Sequence, residues 1–559
     1  MVKNLLKQKL ETKFPGAGFD ILVPPDDKMG DYSVNIAFVV AKSEGKDPMA
    51  VGEEVVADLD KDKELADVFG KIEAVKPGFI NFYLSDGFLR KQLGKIAKDD
   101  NYGLNETMKG KTVMVEYTDP NPFKLFHIGH LMSNTIGEAI ARLYEASGAK
   151  VLRANYQGDV GLHVAKAIWE MLNTKHETWN IEQMGEAYAK GARAYEEDER
   201  SKKEIEEINA KIYDRSDGEI NKLYDLGKKW SLEYFETIYK KLGTKFDRYF
   251  FESEAAADGL DIVKKHPSVF VESDLAVVFR GEEYGLHTRV FVSSKGLPTY
   301  EAKELGVNKK KFEKDNLDLS VIVTGNEINE YFKVLLKVME LTMPEVAAKT
   351  RHISHGMLRL PGGKMSSRTG DVITADLLIE QTEARLPEPE LPEAGLLEKD
   401  REKIATGAIK YSILKQSPGH DIIFDFDKSL SVKGDSGPYL QYTYARLNNI
   451  LRKAEQANLQ FTPASPRLGR GRAIYNLQLL DHEFELKLMK RLLMFPDVVL
   501  ESGEEIIPQH LALYLYELSN EANRFYESVR VLDDKDNNRR TARLVLISTV
   551  SAVLKTGLN

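Results

Sequence analysis

Apolar and polar positions change period several times along this chain, and each change predicts a different element. MVKNLLKQKLETKFPG is a charged amphipathic pattern, and extended pieces follow it. GDYSVNIAFVVAK turns at Gly30–Asp31 and then continues at helical spacing. KPGFINFYLS alternates Phe79, Asn81 and Tyr83 against Ile80, Phe82 and Leu84, a strand pattern. Residues 1–86 therefore predict a small α+β domain. KQLGKIAKDDNYGLNETMKG predicts a helix and a Gly/Asn linker. In KTVMVEYTDPNP, Val113, Met114 and Val115 form a buried strand that Pro120 and Pro122 stop. A helix follows from the histidine-rich HIGH run, with Leu131, Ile136, Ile140, Leu143 and Tyr144 at helical spacing and Gly148 as its C-cap. VLRANYQ is the next strand. Strand, helix and strand within about 45 residues make a βαβ unit and start a parallel sheet.

Residues 180–245 are charged and helical in pattern and predict an insertion or helical hairpin, spanning about 170–250. Strand signals resume at LAVVF, TRVFVSS and LSVIVTG, and NEYFKVLLKVMEL predicts a helix. RHISHGMLRLPGGKMSSRTGDVI reads as a hairpin-like loop region, and LPEPELPEAGLLEKD as a boundary. Nearly everything after 437 has helical spacing and predicts a bundle. The expected architecture is multidomain α/β. An N-terminal α+β domain (1–86) precedes a central Rossmann-type parallel-sheet domain with a helical insertion (108–385). An all-α bundle (401–559) completes it.

Composition narrows the function classes. The chain has 559 residues, too many for a single core. It contains no Cys, which excludes disulfides, thiolate nucleophiles and Cys-based zinc sites and fits a reducing cytoplasm. The start of the chain lacks the apolar core of a signal peptide, and no membrane span is expected. A net charge of −9 argues against a general nucleic-acid coat. Yet residues 401–559 hold 22 Lys/Arg against 19 Asp/Glu, a mildly basic part that suits a polyanionic partner or merely solvated helix faces.

Two short runs carry chemistry. In DPNPFKLFHIGHLMSN, His127 and His130 fall at the start of a helix, where free N–H groups and the dipole favour phosphate. Gly129 between them removes a side chain and allows a flat group such as a nucleobase to approach. The site lies at the carboxyl end of the first strand, where open α/β sheets bind ligands. A His-x-x-His metal pair is the rival, without a third ligand in the pattern. Downstream, Gly362–Gly363 precede Lys364, Met365, Ser366, Ser367 and Arg368, a Gly-bounded loop able to close over a triphosphate.

The two runs resemble the HIGH and KMSKS signatures of class I aminoacyl-tRNA synthetases, and VEYTDPNPFKLFHIGHLMSNTIGEAIARLYEASGAKVLRANYQGDVG is similar to the arginyl branch. The resemblance implies that His127, Gly129, His130, Lys364, Met365, Ser366 and Ser367 bind ATP. KMSSR departs from the full signature at Ser367 and Arg368. Lys124, before the histidines, occupies the place of a compensating lysine, so Lys124, Lys364 and Arg368 share the catalytic charge with His127 and His130. Arginine binding is expected of Glu116, Asn121, His127, Tyr300 and Glu304. The family usually carries Asp where Glu304 stands. Phe79 and Asn81 are matching candidates for a tRNA-elbow contact, and Tyr439, Tyr442 and Arg446 for RNA contacts on the bundle. ATP with Mg²⁺, L-arginine and tRNA(Arg) are the implied cofactors and partners, with no structural metal, no membrane and a monomeric, cytoplasmic chain. The implied activity is arginine–tRNA ligation. Two alternatives stay open at this point: the same chemistry with another amino acid, and a non-catalytic RNA-binding paralogue.

Overall fold

The computed structural model describes residues 2–174, 176, 179–361, 373–386, 398–457, 459 and 476–559. It divides into two compact units. One comprises residues up to Leu104 together with Leu440–Glu501 and Leu513–Asn559; the other comprises Asn105–Tyr439 and Ser502–Ala512.

The first unit joins the two ends of the chain. Its N-terminal part is a four-stranded antiparallel sheet, ordered Ile21–Leu22, Tyr32–Val34, Phe79–Leu84, Phe69–Val75, with helices packed on it. The strand predicted over 79–84 is observed, with Ile80, Phe82 and Leu84 buried, and Asn81 of the opposite face is buried as well. Helices Gly437–Gln456, Glu483–Glu505, Gln509–Ser528 and Asn537–Leu558 supply the bundle. Long-range polar contacts tie the two parts together. Lys3 pairs with Glu501, Lys490 with Asp31 at 2.8 Å, and Tyr102 Oη donates to Leu492 O at 2.8 Å. Asn537–Leu558 is, among the described residues, the one helix long and apolar enough to cross a membrane. Its apolar stretch is 67% buried inside the protein, as expected of a bundle's core helix.

The second unit is built on a five-stranded sheet. Its elements in chain order are β1 (Thr112–Glu116), α1 (Ile128–Ala146), β2 (Lys150–Gln157), α2 (Leu162–Thr174), α3 (Ile181–Glu197), α4 (Glu199–Asp214), α5 (Gly218–Leu242), β3 (Arg248–Phe251), α6 (Glu252–Lys265), α7 (Tyr300–Lys314), β4 (Leu319–Gly325), α8 (Asn329–Thr342) and β5 (Thr350–His355). The strand order is β5-β4-β1-β2-β3, and every pair is parallel. Val113, Met114 and Val115 of the central strand are fully buried because helices cover both faces. The insertion is three helices, α3 to α5, whose apolar faces share a core with α2 around Ile168, Met184, Ile205 and Tyr224.

The strands expected at LAVVF and TRVFVSS form, and one other expectation changes. The strands at Ala276–Phe279 and Arg289–Val292 leave the main sheet and pair antiparallel, with Val271–Ser273 completing a separate three-stranded sheet. The region expected as a hairpin-like loop opens with β5, an edge strand of the main sheet. Its polar residues hid it. His352 stacks on Phe332 at 3.9 Å and hydrogen-bonds Thr324 Oγ1 at 2.7 Å, so tertiary partners satisfy groups that read as loop.

Candidate active site

The chain leaves β1 at its carboxyl end through a turn that no repeating conformation could make. Thr118, Asp119 and Phe123 all have positive φ, at 83°, 48° and 67°. Each costs energy for a non-glycine residue, and such clusters persist where surrounding contacts over-determine them. Here the Thr118 N–H donates to Ser133 Oγ at 2.9 Å. Asp119 Oδ1 accepts the Tyr156 N–H at 2.8 Å. The Phe123 N–H donates to Ser231 Oγ at 2.9 Å. The turn is thereby held from α1, β2 and α5 at once.

The two histidines cap α1. His127 is the N-cap, and its Nδ1 accepts the Gly129 N–H at 3.1 Å. The His127 N–H in turn donates to His130 Nδ1 at 3.2 Å, closing a capping box from imidazoles. An Nδ1 that accepts cannot carry the proton, so each neutral ring holds it on Nε2. The rings stack at 3.6 Å with 20° between planes and present two Nε2–H donors from one helix terminus. Burial, and then the Lys124 ammonium, push the His127 imidazole down to about 4. Burial and then the charge of His127 hold His130 well below the usual range too. Gly129 has a local reason to be glycine: a Cβ there would come within 2.9 Å of His127 Cε1 and push the capping ring aside.

The residues expected from sequence to bind the amino acid follow. Asn121 Oδ1 accepts the Gly158 N–H at 2.9 Å, which turns its amide NH2 away from that bond. Glu116 is 1% exposed, and Lys311, itself fully buried, pairs with it at 2.8 Å. That corrects its expected role: the carboxylate already has a cation and is no open ligand for a guanidinium. Glu304 is 6% exposed and accepts from Asn308 Nδ2 at 3.3 Å. Burial, and then the charge of Glu116, raise its carboxyl to about 8. Tyr300, one helical turn before it, is 56% exposed, so the pair runs from the interior to the rim rather than along one open face.

Several residues that the sequence reading did not select gather around this turn. Glu252, at the start of α6, is buried and pairs with Lys303 at 2.9 Å. A Cβ on Gly158 would lie 3.0 Å from Glu252 Oε1 and 2.6 Å from Asn121 Oδ1, so the three converge on one point. Lys303 also lies 5.2 Å from the Tyr300 ring and 5.7 Å from the Tyr213 ring. Asp159 accepts from Tyr224, Lys228 and Ser253 and ties the β2–α2 turn to α5 and α6. The signal that could have found Glu252 is its position at a helix start just past a sheet strand.

Lys364, Met365, Ser366, Ser367 and Arg368 lie outside the described residues. The chain that follows them is anchored on the histidine motif. The Ile128 N–H donates to Ile373 O at 3.1 Å and the Ala375 N–H to Phe126 O at 2.9 Å.

The RNA candidates separate. Asn81 is 4% exposed and its amide oxygen accepts from Ser33 Oγ at 2.8 Å, so its side chain ties two strands together and lacks the surface that an RNA contact requires. Phe79 is half-buried and packs edge-on against Phe38 at 5.0 Å. Tyr439 is half-buried near the start of its helix, its N–H donating to Ser436 Oγ at 3.2 Å. Tyr442 is exposed, and Arg446 lies between its ring and that of exposed Tyr526, at 4.5 and 4.8 Å. An arginine plane between two exposed rings is a platform on which an unpaired base can stack.

Comparison with known proteins agrees with this geometry along the chain. Residues 92–426 match the family of class I tRNA synthetases (R), catalytic domain. Residues 440–559 match the DALR anticodon binding domain, and residues 1–84 the arginyl tRNA synthetase N-terminal domain. The chain is 33% identical to the arginine–tRNA ligase of Treponema denticola, over 97% of this chain and 93% of that protein. It is 31% identical to that of Fusobacterium nucleatum, over 99% and 96%. The Thermus thermophilus arginyl-tRNA synthetase structure superposes with a TM-score of 0.81 at 25% identity, covering 100% of this chain and 98% of that one. With matches spanning all three segments, the chain belongs to the arginyl-tRNA synthetases of class I.

Proposed function

We infer that this protein is an arginine–tRNA ligase, which activates L-arginine with ATP and transfers it to the 3′ end of tRNA(Arg) during translation. The observation that carries the reading is the histidine capping box on α1, together with the buried Glu304 carboxylate of α7. In the first step an arginine carboxylate oxygen bonds to the α-phosphorus of ATP as the bond to pyrophosphate breaks. His127 and His130 donate from Nε2 to the phosphates, and Lys124 balances the charge that gathers there. Lys364 and Arg368, with Ser366, Ser367 and Met365, complete the ATP site from the loop whose downstream end is anchored at Ile128. Asn121 holds the α-amino and carboxylate end beside His127, whose single Nε2–H is given to the phosphates. Glu304 takes the guanidinium, with Tyr300 at the rim, and a carboxylate with an aromatic neighbour suits that planar cation. In the second step a hydroxyl of the terminal ribose attacks the arginyl carbonyl and AMP leaves.

Mg²⁺ would accompany the ATP and offset the charge of its phosphates. Among the described residues no three His, Asp or Glu side chains converge on a metal position. Residues 108–385 act as the catalytic domain and 401–559 as the anticodon-binding domain, with Tyr442 and Arg446 in contact with RNA. Residues 1–86 take the tRNA elbow, through surface other than Asn81. The enzyme works as a cytoplasmic monomer. The test is a charging panel over amino acids with tRNA present. Arginine is expected as the preferred substrate, and His130→Ala should abolish charging while RNA binding persists. Preference for another amino acid, or RNA binding with no adenylate formed by the parent protein, refutes the reading.

A further inference from the structure

The loop that carries Lys124 is gripped on both sides by the helical insertion. On α5, Gly227 leaves room for Phe123, since a Cβ there would lie 2.2 Å from Phe123 Cε1. On α3, Gly185 does the same for Leu125, where a Cβ would lie 3.0 Å from Leu125 Cγ. Between these two points the main chain of Lys124 has little freedom, and only its long side chain remains to be aimed. The Tyr188 ring, one turn along α3 from Gly185, lies 4.8 Å from Lys124 Nζ.

We propose that Tyr188 is a positioning residue, which holds the Lys124 ammonium toward the ATP phosphates by its ring face. The proposal rests on the assignment of Lys124 as a phosphate-binding cation. Tyrosine suits the task for a chemical reason. A carboxylate partner would fix the ammonium but neutralise it, whereas a ring face fixes it and leaves its charge and N–H donors for a polyanion. Among the described residues no carboxylate is within ion-pair distance of Lys124. The insertion thereby supplies a part of the nucleotide site, which explains why its helices are packed against this turn rather than merely appended to the sheet.

Steady-state charging with arginine and tRNA saturating tests this. Tyr188→Leu should lower kcat/KM for ATP by about five- to thirtyfold, the scale of a partly desolvated cation–π contact, and, with arginine varied at saturating ATP, leave KM for arginine unchanged. Tyr188→Phe, which keeps the ring, should restore ATP kinetics to within about threefold of the parent. Lys124→Met should show a loss at least as large, and Lys124→Met with Tyr188→Leu no further loss, because the two act as one unit. Tyr188→Met is a second ringless variant should the leucine fail to fold. Additive losses in the double variant, or a Phe variant as impaired as Leu, overturn the positioning role. Impairment of Lys124→Met with intact ATP kinetics in both ringless variants overturns it alone. Intact ATP kinetics in Lys124→Met overturns the assignment of Lys124 and the proposal with it.

Discussion

His127 does two jobs that a single substitution can separate. Its Nδ1 caps α1 by accepting the Gly129 N–H at 3.1 Å, and its Nε2–H is left for the proposed phosphate contact. Asn is among the best N-cap residues, and its short oxygen reaches the same backbone N–H groups. His127→Asn should therefore keep the cap and delete only the outer donor. His127→Ala should delete both. The cap is worth about 1 kcal/mol, so the Ala variant should unfold at lower urea while the Asn variant stays within about 0.5 kcal/mol of the parent. The outer donor acts on charge that develops in the transition state, and removing one such donor costs about 10²–10³ in kcat. Both variants should show that loss in single-turnover adenylate formation. The His127 pKa, pushed down to about 4, adds a check. A histidine depressed in the folded state binds its proton more readily when unfolded. Its stabilisation is thus complete above the unfolded value of about 6.5 and is lost as pH falls toward 4. That acid-side loss should shrink in both variants. Equal stability of Ala and Asn refutes the capping role. A Asn variant with full activity refutes the phosphate role.

Three further outcomes follow from the buried charges and the exposed platform. Glu304, raised to about 8, is mostly protonated at neutral pH without ligand, so arginine binding should release a proton; affinity measured by calorimetry should rise about tenfold from pH 6 to 7 and level off above about 8. Glu304→Gln should bind weakly and lose that slope, and a parent affinity flat over this range refutes the assignment. Lys311→Met leaves Glu116 buried without its cation and should cost about 3–5 kcal/mol in urea unfolding; Lys311→Met with Glu116→Leu should recover much of it, and a single variant of parental stability sinks the idea. Tyr442→Ala should weaken tRNA binding by about 1–3 kcal/mol, the scale of one base–aromatic stack, without loss of stability, whereas Asn81→Ala should lose stability through Ser33 and leave binding intact; filter binding and thermal unfolding distinguish the two.

The local patterns were enough to specify the frame. Val113–Val115 ended by two prolines, a helix opened by His127 and capped near Gly148, and the strand VLRANYQ are consecutive elements whose periods need no distant partner to be recognised. The motif chemistry was legible for the same reason: a helix terminus and its capping side chains are neighbours in sequence. What stayed hidden was set by partners far along the chain. β5 is a strand because its backbone pairs with β4 from Thr350 to His355, while Phe332 and Thr324 take up the His352 ring. Glu116 is a paired charge because Lys311, on α7, reaches it at 2.8 Å. Asn81 alternates correctly for a strand, but only the position of Ser33 shows that its amide is spent inside. The sequence by itself determined most of the elements, the fold class and the histidine-capped helix start, since each depends on residues a few positions apart. Only the tertiary structure decided which carboxylates stay open to a cation, which side chains reach the surface and what holds Lys124, because burial and charge pairing depend on residues that folding alone brings together.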